Sequence, residues 1–354
     1  MVRGSPRQPR GGPTLQDVAD HAQVSVMTVS RAIKGDGKVS RATRQRVERS
    51  MADLKYSRRT VRRRFPPGEE IRIVLLHSQP RSSHMSGFLI NSLVEARRHH
   101  VHLDFQAFED RASVEEFVDE LVDTNTDGVI LLPPLCDSAE MLAALAAADI
   151  QVVAVATGRT QRETSSVTID DLQAAREMTR HLIALGHGRI AFILGDPRHR
   201  ATGRRLEGYL RALAEAGIER DDDLIAQGLF TYRSGLDAAE RILSQTRPPT
   251  AIFASNDDMA AAAVAVAHQR RLDVPGDLSV CGFDDAPLAT TIWPELTTVR
   301  QPMDDMSRAS LELLVGEIMA GRQQAGPPKQ IVLEHMIVRR QSDSAPRWSA
   351  RNRG

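Results

Sequence analysis

The chain has 354 residues, more than one hydrophobic core usually serves, so two or three cores of about 100 to 150 residues each are expected. Hydrophobic residues make up 41% and charged residues 26%, the balance of an ordinary globular protein, and two cysteines, Cys136 and Cys281, exclude a disulfide framework and a thiolate zinc set. The net charge of zero hides an asymmetry: residues 1–65 hold 16 Lys or Arg against 5 Asp or Glu, a net of +11, which leaves 30 against 41, a net of −11, for residues 66–354. A basic segment exchanges counter-ions with phosphates and an acidic body is repelled by them, so only the head suits a polyanion.

Residues 1–13, rich in Arg, Pro and Gly, bury too little to order themselves and read as a loose leader. The basic N-terminus MVRGSPRQPRGGP carries no apolar export segment, and no run approaches the roughly 18 apolar residues of a membrane span, so the expected compartment is the cytoplasm. Residues 14–57 read as three short helices. Thr14 with Asp17 forms a capping-box pattern, followed by Leu15, Val18, Ala19 and Ala22 on one face. Ser25 caps a second helix with Val26, Val29 and Ile33 inward, stopped by Gly35-Asp36-Gly37, and Ser40 caps a third through Val47, Met51 and Leu54.

A tight turn at His21–Val24 between two such helices projects the second one into a DNA major groove. Val26 and Met27 then offer apolar contacts to base edges, Thr28 a hydroxyl, and Arg31 a fork for guanine or phosphate, with Ser25 and Ser30 among the phosphate ligands. The alternative, a protein-binding bundle, does not require so lopsided a charge. The segment also carries Thr14-Leu15, Asp17-Val18-Ala19, Val24-Ser25, Thr28-Val29-Ser30-Arg31, Val39-Ser40, Thr43-Arg44, Val47, Leu54 and Tyr56. In these residues it resembles the DNA-binding head of the LacI/GalR family of transcriptional regulators. The resemblance implies that Val26, Met27 and Thr28 read bases and that Arg31 is the groove arginine. It also places residues 58–68 as a hinge, with Phe65 at the position of a minor-groove wedge. Arg62, Arg63 and Arg64 stand where the family has small residues, and a basic linker making phosphate contacts alone fits the same segment.

From Ile71 the pattern changes. Short apolar runs (71–76, 103–108, 128–132, 152–156, 190–194, 251–254, 278–283) alternate with helical patterns near 86–99, 113–124, 138–148, 171–185, 203–216, 234–245 and 257–270. Such alternation predicts parallel sheets covered on both faces, and seven units divide most economically between two lobes. The blocks His181–His187, Arg205–Tyr209, Asn256–Ala260, Gly282–Asp285 and Leu296–Gln301 resemble the family's sensor body, which is similar to periplasmic sugar-binding proteins. The resemblance implies a small all-α helix-turn-helix head joined to an α/β two-lobed body, with lobes of 69–168 plus 301–328 and 169–300 plus 329–341, and a flexible tail over 342–354. It further implies a sugar-like effector between the lobes, contacted by Ser78, Arg205, Phe230, Asn256, Asp284 and Gln301.

Asn256 and Asp284 also stand at strand carboxyl ends, where α/β sheets place ligands. Equally, Asn256 fits a helix cap, Asp284 a turn, Phe230 a core position, and 77–85 with Ser78 an exposed loop. Ala156 replaces a polar residue of some family members, and Trp293 reads either as a cleft cover or as packing. Without leucine heptads after Arg340 a homodimer is expected, with 86–99 as an interface element and a palindromic operator as its double-stranded partner. The pairs Asp170-Asp171, Asp257-Asp258 and Asp284-Asp285 could hold Mg²⁺ in an enzyme, although no phosphate loop or zinc-protease motif accompanies them, and no cofactor or metal is expected. A transport binding protein would share the body but need an export signal and no basic head.

Overall fold

The computed structural model describes residues 15–33, 39–54, 70–78, 83–108, 113–157, 163–321 and 326–347, and the side chains of Leu15, Ser30, Ile33, Ser83 and His84 are outside this description. Two compact units result, residues 1–69 and 70–354.

The first unit holds α1 (Leu15–Ala22), α2 (Val26–Ile33) and α3 (Arg41–Asp53). Its core is Val18, Ala19, Ala22, Val29, Ala32 and Val47, flanked by Val24, Val39, Met51 and Leu54. The α1–α2 turn is made by Gln23 in the left-handed region (φ 53°), with Val24 N donating to Ala19 O at 3.0 Å. Of the three predicted caps, Thr14 lies outside the described residues and the other two form, since Ser25 Oγ accepts from Thr28 N and Ser40 Oγ from Thr43 N, each at 3.1 Å. One inward position is corrected: Val26 is exposed at 37%, and Ala32 takes the buried place. At the first residue after its cap, Val26 points past the bundle, whereas Ala32 lies one turn beyond Val29 on the same face. Gly35–Gly37 lies outside the described residues.

The second unit contains two six-stranded sheets. The strands are β1 (Ile71–His77), β2 (Val101–Ala107), β3 (Gly128–Leu131), β4 (Gln151–Val155), β5 (Ser165–Ile169), β6 (Ile190–Leu194), β7 (Ile225–Gln227), β8 (Ala251–Ala254), β9 (Ser279–Asp284), β10 (Thr297–Arg300), β11 (Gln330–Leu333) and β12 (Met336–Val338). The helices are α4 (Ser83–Arg98), α5 (Val114–Asp123), α6 (Ala139–Ala147), α7 (Asp171–Ala184), α8 (Arg200–Glu215), α9 (Tyr232–Leu243), α10 (Asp257–Gln269), α11 (Leu288–Thr291) and α12 (Met303–Ala320). The orders are β11-β5-β4-β3-β1-β2 and β12-β10-β9-β8-β6-β7, and every pairing is parallel except β10 with β12. Apolar strands covered by helices on both faces make each sheet the core of one lobe, as the alternation predicts.

The chain passes between lobes after β5, after β10 and after β11. The last passage corrects the expected boundary: β11 pairs with β5 in the first sheet, Ile331 opposite Val167, so the first lobe extends through Leu333 rather than 328. The expectation of a flexible tail is also corrected for residues 342–347. Ser342 is fully buried, its hydroxyl donating to Val280 O at 2.5 Å and accepting from Thr297 N at 2.9 Å. Asp343 accepts from Thr297 and pairs with His181 at 2.6 Å, while Ser344 O meets His187 Nε2 at 2.9 Å. These residues satisfy polar groups that would otherwise be stranded under the sheet, which a sequence of small polar residues does not announce.

Candidate functional site

In the head, Met27 stands 63% exposed beside Val26, Arg31 is exposed, and Thr28 is half-buried with its hydroxyl 2.8 Å from Ser25 Oγ. Val26, Met27 and Thr28 therefore occupy the first turn of α2, with its apolar side chains outward at an energetic cost that a core-facing role does not explain. Arg31 follows one turn later. Leu15 opens α1 and Ser30 lies within α2, but their side chains are outside the described residues, as are Thr14 and Phe65 altogether.

In the body, a polar cluster forms at the carboxyl ends of the second sheet. Arg205, on α8, is buried; its Nε donates to Asp171 Oδ1 at 2.7 Å and its Nη1 to Ser255 O at 2.5 Å. Its guanidinium lies 3.6 Å from the Phe283 ring centre and 5.8 Å from that of Phe230. Asp284 Oδ1 stands 3.9 Å from Arg205 Nη1 and accepts from Gln301 Nε2 at 2.8 Å. Burial pushes the Asp171 carboxyl above the usual range, against the pull of Arg205. The structure thus brings together Arg205, Phe230, Asp284 and Gln301, and adds Asp171.

Asn256 is committed on both sides of its amide. Its Oδ1 accepts from Met259 N at 3.0 Å, capping α10, and its Nδ2 donates to Phe230 O at 3.0 Å. That second bond fixes Phe230, which sits in the left-handed region (φ 59°) with its ring over Gly195, where a Cβ would fall 2.0 Å from Phe230 Cζ. Ser78 follows β1, half-buried, and its hydroxyl finds no hydrogen-bond partner among the described residues. No described hydrogen bond or ring contact brings it to the Arg205 cluster. Trp293 is 74% exposed, so it is not a packing residue.

His199 belongs to the same cluster, and nothing in its local sequence marks it. As the residue before α8 it lies with its ring centre 5.1 Å from that of Phe230, and its Nε2 is buried without a hydrogen-bond partner. In Arg-His-Arg it reads as surface; its burial comes from Phe230, 31 positions on, which no local pattern shows. Burial lowers its pKa to about 4. Unfolding restores an ordinary imidazole near 6.5, so the unfolded chain binds the extra proton and stability falls as pH drops from about 6.5 through about 4. The full loss is at most about 3 kcal/mol, and His199→Gln is expected to remove that part of the slope in urea-unfolding midpoints taken between pH 7 and 4.

The acidic pairs are occupied otherwise than by a cation. Asp170 caps α7 through Gln173 N at 3.1 Å, and Asp257 accepts from Ala286 N at 2.7 Å and from Thr298 Oγ1 at 2.6 Å. Asp285 pairs with Arg300 and Arg340, each at 2.5 Å. Among the described residues no group of three or more His, Cys, Asp or Glu is placed to hold a metal, and no helix is long and apolar enough to cross a membrane.

Comparison with known proteins agrees with this division of the chain. Residues 14–59 match the model of the bacterial regulatory proteins of the lacI family, and residues 179–342 match a periplasmic binding protein-like domain. The transcriptional regulator DegA of Bacillus subtilis is 33% identical over 94% of this chain and 98% of its own length. The transcriptional repressor CytR of Escherichia coli is 32% identical over 94% and 97%. Among solved structures, a CelR–cellobiose complex aligns with a TM-score of 0.70 at 31% identity, over 93% of this chain and 99% of that one. The lac repressor dimer bound to operator aligns with a TM-score of 0.70 at 26% identity, over 94% and 100%. A basic helix-turn-helix head, a two-lobed parallel-sheet body and end-to-end similarity to such regulators lead to one conclusion: this chain is a sequence-specific DNA-binding transcriptional regulator of the LacI family, not an enzyme.

Proposed function

We propose that the protein is a cytoplasmic repressor of carbohydrate-metabolism genes. It binds a pseudo-palindromic operator as a homodimer and is controlled by a sugar or glycoside held between its lobes. The observation that carries the ligand class is the Arg205–Asp171–Asp284 cluster flanked by Phe230, Phe283 and His199. Fixed carboxylates and a guanidinium suit hydroxyl groups, and aromatic faces suit the apolar side of a sugar ring. Arg205, Asp284 and Gln301 would bind hydroxyls, Phe230 would stack, His199 would present a neutral imidazole at neutral pH, and Ser78 would answer from the first lobe. Asn256 would act through its hold on Phe230. Cellobiose in the CelR structure supports the same class.

The dimer is supported by α4. Phe88, Ser92 and Ala96 bury against the first lobe, with Ser92 Oγ 3.0 Å from Ser307 Oγ on α12, whereas Ile90 and Leu93 stand 63% and 56% exposed. A second copy would cover this face.

Selection of preferred sites from random duplex DNA at physiological salt tests the reading. A palindrome with a preferred centre is expected. Arg31→Ala should weaken the selected site by about 10- to 100-fold, the value of about 1 to 3 kcal/mol for a bidentate base contact. Steeply salt-dependent binding without sequence preference would overturn the operator assignment. With the site in hand, titration of cellobiose and other di- and monosaccharides should shift operator affinity by about one to two orders of magnitude for the right ligand.

A further inference from the structure

Helix α8 begins in the second lobe without a cap of its own, because the N-cap residue His199 makes no side-chain hydrogen bond to the first-turn amides. The amide of Arg200 donates instead to Asp137 Oδ2 at 3.1 Å. Asp137 belongs to the other lobe. It closes a 3₁₀ turn, Leu135–Asp137, whose Leu135 and Cys136 are part of the first-lobe core. Its Oδ1 accepts from Thr157 Oγ1 at 2.6 Å, just after β4 in that same lobe, and the carboxylate is buried. The bond lies outside the three segments where the chain crosses between lobes, so it depends on the angle at which the lobes meet.

We propose that Asp137 is an interlobe latch: a first-lobe carboxylate, aimed by Thr157, that caps α8 of the second lobe and sets the equilibrium between closed and open lobes. A carboxylate at a helix N-terminus satisfies orphan amides and meets the positive end of the helix dipole, so opening exposes both partners to water at a cost. Arg205 rides on the same helix, less than two turns beyond Arg200, so the latch and the cleft cluster move as one body. Asp137 is thus a positioning residue, distant in role from ligand contact, that tunes how readily the cleft closes. Its consequence for regulation rests on the ligand-gated reading above, but the latch itself is testable with no ligand present.

The test uses the full chain with spin labels on exposed sites of the two lobes, Glu140→Cys and Glu219→Cys, the native cysteines being buried. Interlobe distances are measured by electron–electron double resonance, with amide exchange followed in parallel at residues 200–203. Loss of a helix cap corresponds to about a 2- to 30-fold change in such an equilibrium. Asp137→Ala should therefore enlarge a longer-distance population by about tenfold and speed exchange in the first turn of α8, while Asp137→Asn, which keeps a carbonyl acceptor, recovers most of the closed population. Thr157→Val should give the same change in weaker form. Unchanged distances with faster exchange confined to 200–203 would reduce Asp137 to a cap and overturn the latch. Faster exchange spread over residues 128–147 would do so too, by showing that Asp137 merely holds the first lobe together. If the distances respond as expected but no saccharide shifts operator affinity, the latch stands and the ligand assignment fails.

Discussion

Arg205→Ala is expected to abolish the ligand response and to lower the stability of the body by about 3 to 5 kcal/mol, the usual consequence of stripping one partner from a buried ion pair. Arg205 is bonded to Asp171 and to Ser255 O and stacks on Phe283, so its removal strands a buried carboxylate and a buried carbonyl at once. The loss should depend on pH. Asp171 already titrates above the usual carboxylate range because it is buried. Such a raised group contributes stability that is present below the unfolded value and lost as pH rises through the folded one. Without Arg205 its pKa rises further, so the deficit of the variant should be smallest near pH 4 and grow toward pH 7. Urea-unfolding midpoints of both proteins across that range give the comparison; a deficit independent of pH would mean that Asp171 does not stay buried in the variant.

Gly208→Ala should be nearly as damaging although it removes nothing. A Cβ at Gly208 would fall 2.2 Å from Leu172 O and 2.9 Å from Arg176 N, so α7 and α8 pack backbone to backbone at this point. Neither obstacle is a flexible side-chain end. The helices must separate, at about 1 to 3 kcal/mol or somewhat more for forced overpacking. Because Asp171 opens α7 and Arg205 lies on α8, separation also pulls the ion pair apart. The expected signature is a lowered thermal midpoint together with weakened saccharide binding, with operator affinity measured without ligand kept within a few-fold. Retention of wild-type midpoint and binding would show that the helices can slide without loss.

The sequence carried the two-lobed plan because most of the seven strands it revealed, such as Ile190–Leu194, are short and predominantly apolar, although β2 (VHLDFQA) is half polar. The apolar runs did not mark β5 (SSVTI) or β10 (TTVR), rich in Ser and Thr, nor β7 or β12, three residues each, whose strand character comes from their neighbours in the sheet. β11 was hidden for a related reason: Gln330–Leu333 sits on a sheet edge, half-exposed, and its apolar run of three, Ile331–Leu333, is too short to mark a strand, which displaced the last lobe boundary. In the cluster, Arg205, Asp284 and Gln301 were visible through family resemblance, and tertiary contact brings them together. His199 and Asp137 were not visible, since the importance of each depends on partners 31 and 63 positions away along the chain. Asn256 shows the converse: its place at a strand end was correctly read, but both faces of its amide are taken by α10 and Phe230.

The late segments β11, β12 and Ser342–Asp343 give the protein an order of assembly. Residues 330–333 close one edge of the first sheet, residues 336–338 close one edge of the second, and Ser342 with Asp343 seals the second beneath β9 and β10. All of them leave the ribosome after everything they complete. The head, built from three helices with short-range contacts, needs none of them and can fold as soon as it emerges, whereas both lobes must wait on long-range pairing. Each newly made molecule therefore has a folded head before either lobe is complete, and the paired grip on an operator must wait until the first lobe presents α4 to a second copy.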